Sequence, residues 1–326
     1  MRKFSMIPQG KSLFLLWMIV SVPAFLFSQT TFPVNGVADP KEGAFAFINA
    51  TIVKDAQTTI NKGVLLIREG KIVAAGTNIT LPKDAVVIDC EGKYIYPSFI
   101  DIYSDYGLAA LPRSPVGGFG FGGPGQITSN QKGAFGWNQA IHSDVEAGKL
   151  FTADDTKAKA LRDIGFGTVL SHQKDGIARG TGVVATLSDE KENLVILKEK
   201  ASAHYSFLKG TSTQTYPASL MGVIALLRQS YLDAQWYKSN PTAEGVNLSL
   251  KAWNETQSLP QIFDAGDKWQ DLRADRIGKE FGVQYIIKGG TNEYQRIAEI
   301  AATKAAFILP LNYPLPMDVD DPNELR

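Results

Sequence analysis

The sequence predicts an α/β protein, because a β-rich N-terminal segment is followed by strands that alternate with helices. Between residues 44 and 96 short apolar runs are separated by turn signals, such as Glu69-Gly70, and no helical period appears. After Pro97 strand-like and helix-like runs alternate. Several strand–helix–strand units in succession favour a (β/α) barrel over an open sheet. We therefore expect a small antiparallel β unit followed by a barrel.

The strand-like runs of the first segment alternate apolar and polar residues or are continuously apolar. In chain order they span residues 44–53, which form one long strand or a strand pair, and residues 63–68, 71–76, 85–90 and 93–96. The spacing of these runs leaves room only for tight turns and short loops.

The second segment contains strand-like and helix-like runs in turn. The predicted strands span residues 98–102, 166–170, 261–263, 283–287 and 305–309. Helices are predicted after Asp154 and Asp267, which are suitable N-caps, and from Pro217, which suits a first helical turn. A further helix is predicted over residues 293–301, and the Gly/Pro-rich residues 112–136 predict a long loop.

The first 28 residues have the pattern of a secretory signal peptide. Arg2, Lys3 and Lys11 precede a short apolar run, and Ser28 is a small residue before a polar one. The apolar stretch is about 15 residues long, which is shorter than the roughly 20 residues of a spanning helix. We therefore expect an exported protein, periplasmic or secreted, without a stable membrane anchor after cleavage. The predicted domains are the signal peptide at 1–28, the β-rich domain at 29–96 and the barrel at 97–326.

The composition excludes several function classes. Lys and Arg together number 33, and so do Asp and Glu, so nothing indicates a nucleic-acid-binding surface. The single cysteine excludes an internal disulfide, a CxxC redox pair and a multi-thiolate zinc site. The three histidines leave little for a histidine-built metal centre. No Gly-x-Ser-x-Gly elbow supports a serine hydrolase.

Two stretches carry a resemblance to a known family. They are residues 63–76 and residues 87–101, and the second contains Gly92-Lys93-Tyr94-Ile95-Tyr96-Pro97-Ser98-Phe99-Ile100-Asp101. This segment resembles the G-K-x-x-x-P-G-F-I-D junction of the metal-dependent amidohydrolase superfamily, with Ser98 in place of glycine. The resemblance implies a β-sandwich joined to a TIM-type barrel. It also implies hydrolysis of carbon–nitrogen bonds other than peptide bonds, with a divalent metal of the zinc type.

The sequence departs from the family at the metal ligands that the resemblance implies. The His-x-His slots after the first barrel strand hold Tyr103 and Asp105, and the later histidine position holds Asp264. A further histidine is expected where this chain has residues 288–292. Tyrosine is a poor metal ligand at neutral pH because its pKa lies near 10. Two carboxylates fall short of the three or so ligands that a zinc hydrolase site needs.

We therefore assign no catalytic residue, and Tyr103, Asp105 and Asp264 remain only as occupants of the ligand positions. His172 is a further candidate because it follows a barrel strand at the end where catalytic groups gather, although a loop histidine is more often exposed. His142 and His204 have no partner pattern in the sequence.

Three hypotheses follow for function. The first is a non-catalytic or partial barrel of a larger exported amidohydrolase, with the downstream remainder of a longer chain as its partner and no cofactor of its own. It rests on the missing histidines and on a barrel segment shorter than the roughly 250 residues typical of the fold. The second is an atypical single-metal hydrolase that uses Asp105 and Asp264. The third is a ligand-binding or scaffold module that uses Tyr103 and the glycine-rich residues 117–125.

Overall fold

The computed structural model describes residues 43–111, 126–243 and 245–312, which form two compact units. The first unit ends at Pro97 and the second begins at Ser98. The predicted signal peptide at 1–28 and the glycine-rich loop at 117–125 lie outside the described residues. Within the described ranges, no helix is long and apolar enough to cross a membrane.

The first unit is a five-stranded mixed sheet. Its strands are β1 (Ala44–Val53), β2 (Thr59–Arg68), β3 (Lys71–Gly76), β4 (Ala85–Asp89) and β5 (Tyr94–Ile95). The strand order is β3-β2-β1-β4, and β5 also pairs with β1. Strands β1, β2 and β3 are antiparallel neighbours, whereas β4 and β5 pair with β1 in parallel.

The expectation of an antiparallel unit was therefore wrong for β4 and β5. After β3 the chain crosses back and adds the last two strands to the free side of β1, so they run in the direction of β1. The Glu69-Gly70 turn is present as predicted, with φ values of 51° and 71° that suit a tight hairpin. Adjacent residues Leu65 and Leu66 pack into separate apolar clusters, as expected for alternate side chains of a strand. The described residues form one sheet, so the second layer of a sandwich stays a prediction.

The second unit contains seven strands that pair in chain order. The strands are β6 (Phe99–Ser104), β7 (Phe166–Ser171), β8 (Ala178–Thr186), β9 (Ile196–Ser206), β10 (Gln261–Asp264), β11 (Ile286–Lys288) and β12 (Phe307–Ile308). Strand β8 is antiparallel to both β7 and β9, and the other six strands share one direction. The carboxyl ends of those six strands and the beginning of β8 therefore lie at one end of the sheet.

The helices of the second unit connect these strands. They are α1 (Ala147–Leu150), α2 (Asp155–Asp163), α3 (Glu192–Val195), α4 (Leu220–Ser239), α5 (Leu248–Thr256), α6 (Lys268–Glu280), a 3-10 helix (Glu293–Arg296) and α7 (Ile297–Thr303). The Asp154 and Asp267 side chains cap α2 and α6, as predicted. Helix α4 begins at Leu220 with Ser219 as its cap, so Pro217 precedes the helix instead of occupying its first turn.

The sequence did not predict β8 or most of β9. Strand β8 is rich in glycine and alanine, and its residues are nearly all buried, so it shows no polar alternation. Strand β9 has exposed charged residues in its first half and buried polar residues, including Ser202 and His204, in its second half. Neither pattern resembles the apolar run or strict alternation that marks a strand.

The sheet of the second unit is curled into a nearly closed barrel. Strands β6 and β10 are four positions apart in the strand order, which is about 19 Å in a flat sheet. The Tyr103 hydroxyl of β6 nevertheless lies 2.6 Å from a carboxylate oxygen of Asp264 at the end of β10. Around β9–β11 a large apolar core that includes Trp253, Phe263 and Tyr285 packs the sheet against α4, α5 and α6.

Candidate functional site

Charged side chains meet at the carboxyl end of the barrel strands. Tyr103 lies near the end of β6, while Asp264 and Lys288 are the last residues of β10 and β11. Arg179 is the second residue of β8, which begins at this end because it runs the opposite way. Catalytic and ligand-binding residues of (β/α) barrels gather at this end. We call Tyr103, Arg179, Asp264 and Lys288 the Asp264 cluster.

The Asp264 carboxylate is engaged on both of its oxygens. Oδ2 accepts hydrogen bonds from the Tyr103 hydroxyl at 2.6 Å and from Arg179 Nη1 at 3.1 Å. Arg179 Nη1 also donates to the Tyr103 hydroxyl oxygen at 2.9 Å. Lys288 Nζ lies 3.4 Å from Oδ1. Arg179 is almost fully buried, so its charge depends on Asp264 for compensation.

These contacts fix the protonation states of the cluster. Burial alone would raise the pKa of Asp264, but the charges of Arg179 and Lys288 and the Tyr103 hydrogen bond lower it below its ordinary value. Burial raises the pKa of Tyr103 well above its ordinary value near 10, against the opposing charge of Arg179. Asp264 is therefore an ionised carboxylate, and Tyr103 is a neutral hydrogen-bond donor.

Asp105 does not share these contacts with Asp264. Its side chain is 71% exposed, and its Oδ2 lies 3.5 Å from Lys174 Nζ. The Lys174 ammonium lies 5.0 Å from the centroid of the Tyr103 ring, and the Lys288 ammonium lies 5.4 Å from the same centroid. The structure thus brings Tyr103 and Asp264 into direct contact, while Asp105 pairs with a lysine at the edge of the cluster.

His172 is fully buried, contrary to the exposure expected for a loop histidine. Its ring stacks on that of His204 with centroids 3.7 Å apart and planes 4° from parallel, and the Tyr103 ring centroid lies 4.8 Å away. His204 Nε2 is hydrogen-bonded to Ser202 Oγ at 2.7 Å. Burial lowers the pKa of both histidines, that of His204 to about 3, so both rings are neutral.

Sequence reasoning missed the two residues that give this site its character. Arg179 lies in a strand that was not predicted, and nothing in the run Ala178-Arg179-Gly180 marks it as a partner of a residue 85 positions later. His204 lies on β9, and His172 follows β7, which is two positions away in the strand order with β8 between them. Only the folded sheet therefore brings the two rings together. The signal available in the sequence for a charged site was Lys288, a cation in the segment 288–292 where the resemblance implies a histidine.

The fold of this chain matches that of a solved protein. It superposes on the amidohydrolase from Thermotoga maritima MSB8 with a TM-score of 0.65 and 22% sequence identity, over 86% of this chain and 73% of that protein. The chain has the amidohydrolase-like fold. The resemblance read from residues 63–76 and 87–101 is thereby confirmed at the level of the fold.

Other solved proteins match less closely. A second amidohydrolase has a TM-score of 0.38 at 15% identity, covering 86% of this chain and 71% of its own. The D-hydantoinase (dihydropyrimidinase) from a Thermus species has a TM-score of 0.34 at 12% identity, covering 81% and 57%. Neither carries weight at these TM-scores. No family model and no curated protein matches the sequence.

The residues at the amidohydrolase ligand positions do not fit a divalent metal. In the described part of the chain, no three or more His, Cys, Asp or Glu side chains are grouped so that they could hold a metal ion. Asp264, the one carboxylate of the cluster, is already paired with two cations and hydrogen-bonded to a hydroxyl. A divalent ion there would face the charges of Arg179 and Lys288, and arginine stays protonated at any working pH.

Proposed function

We propose that this chain is a non-catalytic barrel unit of an amidohydrolase-like protein, in which the Asp264 cluster takes the place of a metal centre. The observation that supports the proposal is the pairing of Asp264 with Arg179 and Lys288. A metal joins side chains from several strands of a barrel. Here a guanidinium, an ammonium and a phenol join β6, β8, β10 and β11 around one carboxylate.

The protonation states of the cluster support the same proposal. A metal-independent hydrolase needs a base that can take a proton from water at working pH. Asp264 is held ionised by two cations, so its lowered pKa makes it a weak base. The imidazoles of His172 and His204 are neutral but fully buried within the barrel, out of reach of bulk water.

We also propose that the barrel is a partial one that belongs to a larger exported chain. Strands β6 and β12 are the two edges of the described sheet. On β6 the side chains of Ile100 and Ile102 are 60% and 45% exposed, which is unusual for a barrel strand. Further strands and helices from the downstream remainder of the same chain would cover such an edge. Export would follow from cleavage near Ser28, and the N-terminus of the mature protein tests it.

Metal content tests the central proposal. We expect the chain, purified after expression with added zinc or manganese and dialysed, to carry far less than one metal per chain and to hydrolyse no amide substrate. Elemental analysis by mass spectrometry and an amide-hydrolysis panel give the two readouts. One tightly bound metal per chain together with turnover would overturn the proposal.

The same measurement on two variants tests the single-metal alternative. If Asp105 and Asp264 hold a catalytic metal, Asp105→Ala and Asp264→Ala each abolish metal binding. Asp163→Ala on α2 is the control, because Asp163 forms an exposed ion pair with Lys159. Metal retained in both site variants would exclude this alternative as well.

A further inference from the structure

A cavity of about 540 Å³ opens beside the Asp264 cluster in the second unit. It lies between the residues that follow β6, the helix α2 and the turn that follows β7, at the carboxyl end of the barrel strands. The volume is in the range of small-molecule sites, which lie at this end of (β/α) barrels.

One wall of the cavity is apolar. It is formed by Leu108 and Leu111 after β6 and by Leu161 on α2, with alanines between them. A ligand that fills this part of the cavity would gain about 25 cal/mol for each square ångström of apolar surface removed from water. The wall therefore favours a ligand with an aliphatic or aromatic group.

The lining also carries charges of both signs. Lys174 and Asp105 face the cavity as an ion pair whose Nζ–Oδ2 distance of 3.5 Å exceeds the 2.7–2.9 Å of a strong charge-assisted bond. Both side chains are partly or largely exposed, so the pair contributes little to stability. A ligand with one positive and one negative group could replace this contact on both sides.

The overall charge of the lining favours a neutral dipolar ligand over an ion. Lys157 and Lys174 are balanced by Asp101 and Asp105. An anion would be attracted by the lysines but repelled by the carboxylates. A cation would be attracted by the carboxylates but repelled by the lysines. A zwitterion satisfies both signs at once.

We propose that this cavity binds an α-amino acid with an apolar side chain. The ligand carboxylate lies on Lys174, the ammonium group lies on Asp105, and the side chain packs against Leu108, Leu111 and Leu161. None of the four residues of the Asp264 cluster lines the cavity, and its nearest lining cation, Lys174, lies 5.0 Å from the Tyr103 ring centroid.

A series of ligands on the unmodified protein tests the charge pattern. Isothermal titration calorimetry compares L-leucine with 4-methylpentanoate, which lacks the ammonium group, with 3-methylbutylamine, which lacks the carboxylate, and with glycine, which lacks the apolar group. We expect leucine to bind at least tenfold more tightly than each of the others. No binding of leucine, or equal binding of 4-methylpentanoate, would overturn the proposal.

Two variants then locate the site. Lys174→Met and Asp105→Asn should each weaken leucine binding at least tenfold, because each removes the partner of one ligand charge. Lys159→Met and Asp163→Asn are matched controls, since these two residues form an exposed pair on α2 and do not line the cavity. Circular dichroism confirms that each variant is folded. Unchanged affinity in both site variants, or equal loss in the controls, would contradict the assignment.

Discussion

Two carboxyl groups of the second unit, the partly buried Asp264 and the fully buried Asp271, have opposite protonation behaviour although they are only seven residues apart. Asp264 ends β10 and is paired with Arg179 and Lys288, and its pKa is lowered. Asp271 lies in the first turn of α6 and faces Glu293 of the 3-10 helix. Burial, and then the charge and hydrogen bond of Glu293, raise its pKa to about 8.

The comparison separates burial from the effect of partners. Burial disfavours the ionised form of both carboxyl groups, so it cannot account for the opposite shifts. The difference comes from the nearest charges, which are two cations at Asp264 and a second carboxyl group at Asp271. The two places are also linked, because the backbone N–H of Gly290 donates to Glu293 and lies two residues after Lys288. The chain from the end of β11 to the start of the 3-10 helix thus supplies a cation to one carboxyl group and an acid to the other.

Removal of the buried cation is expected to have the largest effect. Arg179→Met leaves Asp264 and Tyr103 without their buried donor, and we expect the free energy of unfolding at pH 7 to fall by about 3–5 kcal/mol. Urea unfolding followed by circular dichroism measures this change.

The matched control for that experiment is an exposed arginine pair. Arg228→Met on α4 removes a bidentate contact with Glu280 in which both side chains are over a third exposed. We expect a loss of no more than about 1 kcal/mol. Equal losses in the two variants would show that the burial of the Asp264 cluster has no special effect on stability.

Replacement of the protonated Asp271 is expected to have an intermediate effect, and this change should stabilise the protein. Asp271 binds its proton more tightly in the folded state, so stability falls as pH rises from about 4 towards 8. Asp271→Asn keeps a neutral donor towards Glu293 without the need to bind a proton. We expect it to raise the free energy of unfolding at pH 7 by about 2 kcal/mol and to flatten this pH dependence.

Thermal unfolding at pH 5 and pH 8 measures the effect of Asp271→Asn. Asp163→Asn, at an exposed position of α2, should change stability by less than about 0.5 kcal/mol at either pH. Destabilisation by Asp271→Asn at pH 8 would mean that Asp271 is ionised in the folded state. It would contradict the raised pKa of this carboxyl group.

Replacement of one of the stacked histidines is expected to have the smallest effect on stability. It tests whether burial also shifts the pKa of a basic group. Burial lowers the pKa of His172 and His204, so the unfolded chain binds more protons than the folded one below about pH 6.5. Stability is therefore lost as pH falls through this range. His172→Phe keeps a stacked ring but removes one titrating group, and at pH 5.5 it should spare about 1 kcal/mol of that loss.

Unfolding at pH 7.5 and pH 5.5 gives the readout for this variant. His204→Gln, which keeps a hydrogen-bonding group near Ser202, should flatten the profile to a similar degree. An unchanged profile in both variants would mean that neither histidine is held neutral by burial.

Local patterns along the chain determined much of this protein. The Glu69-Gly70 hairpin, the caps at Asp154 and Asp267 and the strands at 166–170 and 261–263 are all encoded within a few residues and are present in the structure. The segment from Gly92 to Asp101 carried the fold assignment. Tyr103, Asp105 and Asp264, at positions where the resemblance implies histidines, were also readable from the sequence.

The tertiary structure alone decided which residues surround Asp264. Arg179 reaches Asp264 because β8 runs against its neighbours and begins where the other strands end. Asp264 and Asp271 look alike in the sequence, and their protonation differs because a charge interaction depends on distance and on the surrounding dielectric. The curl of the sheet and the packing of α6 set those two quantities. The curl brings Arg179 to Asp264, 85 positions later, and the packing of α6 brings Asp271 to Glu293, 22 positions later.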